Sequence, residues 1–110
     1  MTIDKACVDG NRLWRSLMLM AEIGATEAGG SCRLALTKED IAGRDLFKSW
    51  CVEAGCTLTS DDMGNLYARR LGTDPEALPI VVGSHLDTQP CGGKFDGVYG
   101  VLAGLEVVRA

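Results

Sequence analysis

Pro79-Ile80-Val81-Val82-Gly83-Ser84 is a short apolar run dense in β-branched residues, and directly after it the chain turns polar: His85-Leu86-Asp87-Thr88-Gln89-Pro90-Cys91-Gly92-Gly93-Lys94-Phe95-Asp96-Gly97. Such a run, short and free of alternation, has the pattern of a central strand buried on both faces of a sheet. The cluster from His85 to Asp96 is then delivered at the strand's carboxyl end, where open α/β sheets place their ligands. Residues 97–110 turn helical again, with Val101, Leu102, Leu105 and Val108 on one face. Gly97, Gly100 and Gly104 recur at spacings of three and four, which lets this helix approach a strand closely.

Working back toward the start, Leu13, Trp14, Leu17, Met20 and Ala21 share a helical stripe, behind a cap at Asp9 or Asn11 and ahead of Gly24. Residues 24–32, rich in Gly, Ala and Thr without a period, read as a loop. Thr37 with Asp40 imitates a capping box, and Ile41, Leu46, Phe47, Trp50, Cys51 and Ala54 form the apolar stripe of a second helix closed by Gly55. Its Trp and Phe are expected in the core. Residues 56–60 and 65–71 alternate as strands around the turn Asp61-Asp62-Met63-Gly64, which predicts a hairpin. Adjacent carboxylates in an exposed turn are ordinarily solvated, so Asp61 and Asp62 are not taken as ligands. The expected fold is α/β: two helices, a hairpin joining a mixed sheet, a central strand ending in His85, and a further helix.

Composition excludes several classes of function. Eleven Lys and Arg stand against fifteen Asp and Glu, a formal charge of -4, with no basic stripe to neutralise a phosphate backbone. No nucleic-acid partner is expected. The early apolar stretch at residues 17–21 is far too short to span a bilayer and lacks the flanks of a secretory signal, so no membrane partner is expected either. The five cysteines (Cys7, Cys32, Cys51, Cys56, Cys91) form no CxxC pair and no zinc-finger spacing, and they read as reduced thiols of a cytoplasmic protein. Cys91 reads as a loop thiol.

His85 is the only histidine in the 110 residues. In an extended backbone His85 and Asp87 point to one side, so a carboxylate there can hold one imidazole nitrogen while the other faces a metal. Asp96 follows the pliable Gly92-Gly93 and precedes a helix, and its carboxylate can turn back toward His85. A carboxylate so placed can bridge two divalent ions about 3.5 to 4 Å apart. Residue types alone leave other readings open, since a His near an Asp is also a plain hydrogen-bonded pair and an Asp before a helix is also a cap. Nucleotide loops fail on inspection: no GxGxxG follows a strand, and Gly93-Lys94 leads to Phe95 where a phosphate-binding loop needs Ser or Thr. There is no GxSxG elbow, and a nucleophilic Cys91 would have His85 as its only base.

Gly83-Ser84-His85-Leu86-Asp87-Thr88 followed by Gly92-Gly93-Lys94-Phe95-Asp96-Gly97 resembles the signature of N-carbamoyl-L-amino-acid hydrolases, β-ureidopropionases and allantoate amidohydrolases, a branch of the aminoacylase and carboxypeptidase clan. The short Gly-Gly link is similar to the amidohydrolase branch; the related peptidases place a much longer segment there. Arg33-Leu34-Ala35-Leu36-Thr37 and Asp62-Met63-Gly64-Asn65-Leu66 carry the resemblance over nearly the whole chain.

The resemblance implies the N-terminal part of a two-metal exopeptidase-like (phosphorylase/hydrolase-like) catalytic domain, a mixed sheet flanked by helices, with residues 1–110 incomplete and the lid or dimerisation domain absent. It implies two divalent ions, zinc or else manganese, with His85 a terminal ligand of one, Asp96 the bridging ligand, and Asp87 the catalytic-site residue that positions the His85 imidazole. It also implies a cis peptide after Asp96. The activity implied is hydrolysis of the carbamoyl C–N bond of N-carbamoyl-amino acids to amino acid, carbon dioxide and ammonia, the partner being a small carbamoyl or ureido substrate. The full-length protein would be a cytoplasmic homodimer. Allantoate or ureidoglycolate-type amidohydrolysis is the enzymatic rival, and a non-catalytic fragment or pseudoenzyme the other. The family's general base, one of a Glu-Glu pair, and two further histidines are absent here. One imidazole and one bridging carboxylate cannot saturate two ions that each want about four ligands, so the 110 residues are expected to be a fragment.

Overall fold

Asp9 starts the first helix: its carboxylate accepts a hydrogen bond from the Arg12 amide at 3.0 Å, satisfying one of the orphan donors of the first turn. In the computed structural model, which describes residues 5–110, this helix is α1, Gly10–Glu22. Leu17, Met20 and Ala21 are buried along it, and Trp14, expected on the same stripe, lies at its edge, 55% exposed and tilted against Phe95 with ring centroids 6.0 Å apart. The helix stops before Gly24, whose φ of 78° admits glycine readily and where a Cβ would fall 2.3 Å from the Cys32 carbonyl oxygen.

Helix α2, Lys38–Glu53, is capped as its sequence suggests, Thr37 Oγ1 accepting from the Asp40 amide at 3.3 Å. The Asp40 carboxylate reaches back one residue further than in the reciprocal box, to the Leu36 amide at 2.9 Å. Trp50 and Cys51 are buried and Leu46, Phe47 and Ala54 pack against the core. Ile41 is 59% exposed, against expectation. Its spacing of five from Leu46 puts it off the period, and the buried face continues instead through Gly43 and Asp40.

Strands β1, Thr57–Ser60, and β2, Leu66–Arg69, pair antiparallel with Thr57 opposite Arg69 and Ser60 opposite Leu66. The hairpin is shorter than the alternation suggested. Asp61 organises its turn, accepting from the amides of Met63 and Asn65, the Asn65 side chain and the Tyr67 hydroxyl, so its carboxylate is committed to local structure. Those donors hold the Asp61 carboxyl below its ordinary range.

The expected central strand is the main correction. Residues 79–84 pair with no strand among the described residues, and the sheet has only β1 and β2. Ile80 is 97% and Val81 80% exposed. A β-branched run becomes a buried strand only when neighbours supply ladder partners and cover its faces, and the hairpin supplies neither. What the segment does have is α3, Val98–Arg109. A Cβ on Gly104 would lie 2.5 Å from Val82 Cγ2, and one on Gly100 would lie 2.9 Å from Ser84 Cβ. Four helical residues rise about 6 Å and two extended residues about 6.6 Å, so the two spacings match and the chain runs back antiparallel along the glycine stripe.

The core gathers Leu17 and Met20 of α1, Trp50 and Cys51 of α2, Leu86, and Val98, Leu102 and Leu105 of α3. Helices α1 and α3 are also tied by charge. The Glu106 carboxylate, 2% exposed, accepts from Arg12 at 2.5 and 2.9 Å and from the Asp9 amide at 2.9 Å. Hydrogen bonding to Arg12 holds the Glu106 carboxyl below its usual range. Arg109 extends this seam, donating to Ser16 Oγ and lying 5.6 Å from the centre of the Trp50 ring. No helix of the described residues is long and apolar enough to cross a membrane.

Candidate functional site

Period-two alternation sorts the motif. Leu86 and Thr88 are buried, while His85 is exposed and Asp87 partly so, which places the two chemical side chains on the open side as the sequence predicts. Burying Leu86 contributes roughly 2 kcal/mol toward holding that orientation.

The His85 ring is fixed at two points. Its Nδ1 lies 2.9 Å from the Asp87 main-chain carbonyl oxygen, and the Asp87 carboxylate is further off, at 3.5 Å. A carbonyl oxygen only accepts, so this bond requires the proton on Nδ1, and in the neutral ring Nε2 then carries the lone pair. Asp87 therefore positions the imidazole mainly through its backbone. The second point is Gly97, where a Cβ would fall 2.3 Å from His85 Cε1 and 2.5 Å from Nδ1 and Nε2, so the ring rests directly on the glycine. Gly97 has a φ of 74°, a conformation that also favours glycine.

Asp96 precedes that contact and is exposed. The N-cap of α3 is Gly97, with no side-chain hydrogen bond, so Asp96 does not serve as the cap that its position before a helix suggests. No cis peptide occurs among the described residues, and the turn after Asp96 is made by the positive φ of Gly97 instead.

The motif is braced from behind by residues that sequence reasoning read as loop. Ser31 and Gly92 exchange both main-chain hydrogen bonds, at 2.8 and 3.0 Å, and a Cβ on Gly30 would lie 2.3 Å from the Gly92 carbonyl oxygen. Thr88 donates its amide to the Arg33 carbonyl at 2.7 Å and accepts from the Arg33 amide through Oγ1, also at 2.7 Å. The Arg33 side chain, only 1% of whose residue surface is exposed, donates to the carbonyls of Leu86, Met20 and Ile23 at 2.8, 3.0 and 2.7 Å. Burial pulls the Arg33 guanidinium below its ordinary pKa, opposed by the charges of Asp40 and Asp87. The available signal was a cation enclosed by apolar residues in Cys32-Arg33-Leu34-Ala35-Leu36.

An imidazole nitrogen and carboxylates are donors suited to zinc or manganese. The fit is one of donor type: His85 offers a lone pair of fixed direction, and Asp96 a carboxylate not used as a cap. No group of three or more His, Cys, Asp or Glu side chains that could hold an ion occurs among the described residues, so the structure does not gather His85, Asp87 and Asp96 into one such cluster.

No family model matches the chain. It is 61% identical to an N-carbamoyl-L-amino-acid amidohydrolase of Rhizobium meliloti over 102 residues, covering 93% of this chain and 24% of that protein. It is 42% identical over 90 residues to an allantoate amidohydrolase of Bacillus subtilis, covering 82% of this chain and 22% of that protein. Among solved structures, a hydantoinase/carbamoylase family amidase from Burkholderia ambifaria superposes with a TM-score of 0.92 at 65% identity, over 96% of this chain and 26% of that one. The chain thus spans about a quarter of the length of the relatives it matches.

Proposed function

Because the chain is a relative of the N-carbamoyl-L-amino-acid amidohydrolases and of hydantoinase/carbamoylase amidases over about a quarter of their length, we propose that residues 1–110 are the N-terminal part of the catalytic domain of a metal-dependent amidohydrolase. The reaction is cleavage of the carbamoyl C–N bond of an N-carbamoyl-amino acid, giving amino acid, carbon dioxide and ammonia. The observation that carries this reading is the His85 ring, seated on Gly97 and tied through Nδ1 to Asp87, which leaves Nε2 directed by its tautomer to act as a ligand.

In this reading His85 is a terminal ligand, Asp96 bridges two divalent ions, zinc or manganese, and Asp87 orients His85. The ions, when bound, supply Lewis acidity and an activated water. The chain's own part is to fix the neutral His85 ring in its Nδ1–H tautomer, to keep Asp96 uncommitted to the helix, and to carry both on a braced loop. Unpaired cysteines at all five positions suit a cytoplasmic setting, and the family resemblance suggests a homodimer for the full-length protein.

A second substrate class is supported by the Bacillus subtilis relative for allantoate and, for ureidoglycolate, by a ureidoglycolate hydrolase of Arabidopsis thaliana that is 36% identical over 77 residues. The full-length protein, assayed against N-carbamoyl-amino acids, allantoate and ureidoglycolate before and after chelation, separates the readings. Hydrolysis of a carbamoyl-amino acid that stops on chelation and returns with zinc or manganese is expected. Preference for allantoate or ureidoglycolate would move the assignment within the family, and turnover by metal-free protein, or none under any condition, would defeat it.

A further inference from the structure

Arg33 is the most deeply buried charged residue near the motif, and its surroundings are peculiar for a cation. No carboxylate lies within 4.0 Å of it among the described residues, and its side-chain partners are all main-chain carbonyls. Two of them, Met20 and Ile23, belong to the end of α1, where the helix dipole presents partial negative charge. The third, Leu86, lies between His85 and Asp87. Room for the guanidinium is made by Gly43 of α2, where a Cβ would stand 2.8 Å from Arg33 Cδ and 3.3 Å from its Nε.

A buried guanidinium is expensive, and an apolar side chain of similar volume ordinarily serves packing as well or better. What an apolar residue cannot do is fix a peptide plane. The Leu86 carbonyl and the Asp87 amide share one plane, so holding that oxygen at 2.8 Å sets the direction in which Asp87 leaves the chain. The Thr88 amide donates to the Arg33 carbonyl and Thr88 Oγ1 accepts from the Arg33 amide, so the peptide on each side of Asp87 is anchored to Arg33. Among the described residues, the one direct hydrogen bond on the His85 ring is to the carbonyl of that anchored Asp87.

We infer that Arg33 is a positioning residue for the His85–Asp87 pair: it clamps the backbone on either side of Asp87 to the end of α1, and so sets the tautomer and aim of the His85 imidazole. Its consequence for metal rests on the proposed site, whereas its consequence for His85 does not.

The experiment uses the full-length protein, metal-free, with 15N-labelled histidine and His85→Gln as the assignment blank. The parent should show His85 as the Nδ1–H tautomer. Arg33→Met removes every side-chain donor, and Arg33→Lys keeps the charge but loses the planar fork; both should shift His85 toward the mixed or Nε2–H form. In the same variants zinc affinity should fall roughly 10 to 100-fold, the range for loss of an outer partner of a ligand. Thr88→Val, which removes the acceptor for the Arg33 amide and preserves shape, should shift His85 the same way by less, and it decides the matter if Arg33→Met does not fold. A lowered melting temperature with the His85 tautomer unchanged in Arg33→Lys and Thr88→Val would overturn the inference and leave Arg33 a packing residue. A tautomer shift in a protein whose parent binds no zinc would uphold the positioning role and defeat the metal reading instead.

Discussion

Replacing Gly97 by alanine tests the seat of His85 most directly. The new Cβ would stand 2.3 Å from Cε1, against a normal carbon–carbon contact of about 3.5 Å, so the ring must retreat by more than about 1 Å. That retreat breaks the 2.9 Å bond from Nδ1 to the Asp87 carbonyl, a loss of about 1 kcal/mol. Holding a non-glycine residue at a φ of 74° adds roughly 1 to 2 kcal/mol. The expected cost is about 2 to 3 kcal/mol in equilibrium urea unfolding. Two reference variants separate the contributions. Gly29→Ala, with a φ of 84° and nothing within 4 Å of its Cβ, carries the backbone cost alone. Gly100→Ala, in ordinary helical conformation and 2.9 Å from Ser84 Cβ, carries steric cost without the positive-φ cost, offset by the roughly 1 kcal/mol by which a helix favours alanine over glycine. Zinc affinity should fall in Gly97→Ala and not in Gly29→Ala. If Gly97→Ala is no less stable than Gly29→Ala and binds zinc as the parent does, His85 does not rest on Gly97 and the geometry of the site is wrong.

Asp96→Ala should eliminate occupancy of a paired metal site in the full-length protein, while Asp87→Asn keeps the carbonyl that holds His85 and should weaken zinc affinity by only about 10-fold; metal content and zinc titration of both variants check this. Glu106 has a depressed carboxyl pKa in the folded state, so its contribution is fully present above the unfolded value near 4.5 and is lost as pH falls through the lower folded value. Urea midpoints measured through that acid range should fall less steeply with pH in Glu106→Gln than in the parent. The Cys51 thiol, 1% exposed and pushed up to about 11 chiefly by burial, should resist alkylation at mildly alkaline pH while exposed Cys7 and Cys91 are modified, as peptide mass mapping would show.

The parts of this fold that were legible in the sequence are those whose causes are local. Asp9, Thr37 and Gly55 act within a turn of themselves, and the helices and hairpin they punctuate follow from caps, period and turn chemistry. The glycine stripe of α3 was legible for a similar reason, since Gly97, Gly100 and Gly104 share a face however the partner is arranged. Residues 79–84 were not, because a buried strand is a property of its neighbours, and no partner for it lies among the described residues. At the site, alternation was enough to put His85 and Asp87 on one side. It could not say that a carbonyl, not the carboxylate, makes the closer bond to the ring, because main-chain acceptors are the same at every position. Arg33 stood in a segment that carries the resemblance, but its burial was not legible, because arginine is usually solvated and this burial depends on Gly43 and on the end of α1, both distant from the motif.

The clamp between Arg33 and Thr88 joins positions 55 residues apart, whereas the bonds of α1 and α2 close within single turns. Bringing such distant points together costs about 3.5 kcal/mol in chain entropy before any contact is gained. Order of assembly follows from that difference: the helices can form early on their own segments, and the motif acquires its geometry only when the two ends of the long loop have met. The Thr88 amide, donating to the Arg33 carbonyl, should therefore gain protection from hydrogen exchange later in refolding than the amides of α2. Competence of His85 is, on these terms, acquired after the helices and lost whenever the contact between Arg33 and Thr88 opens.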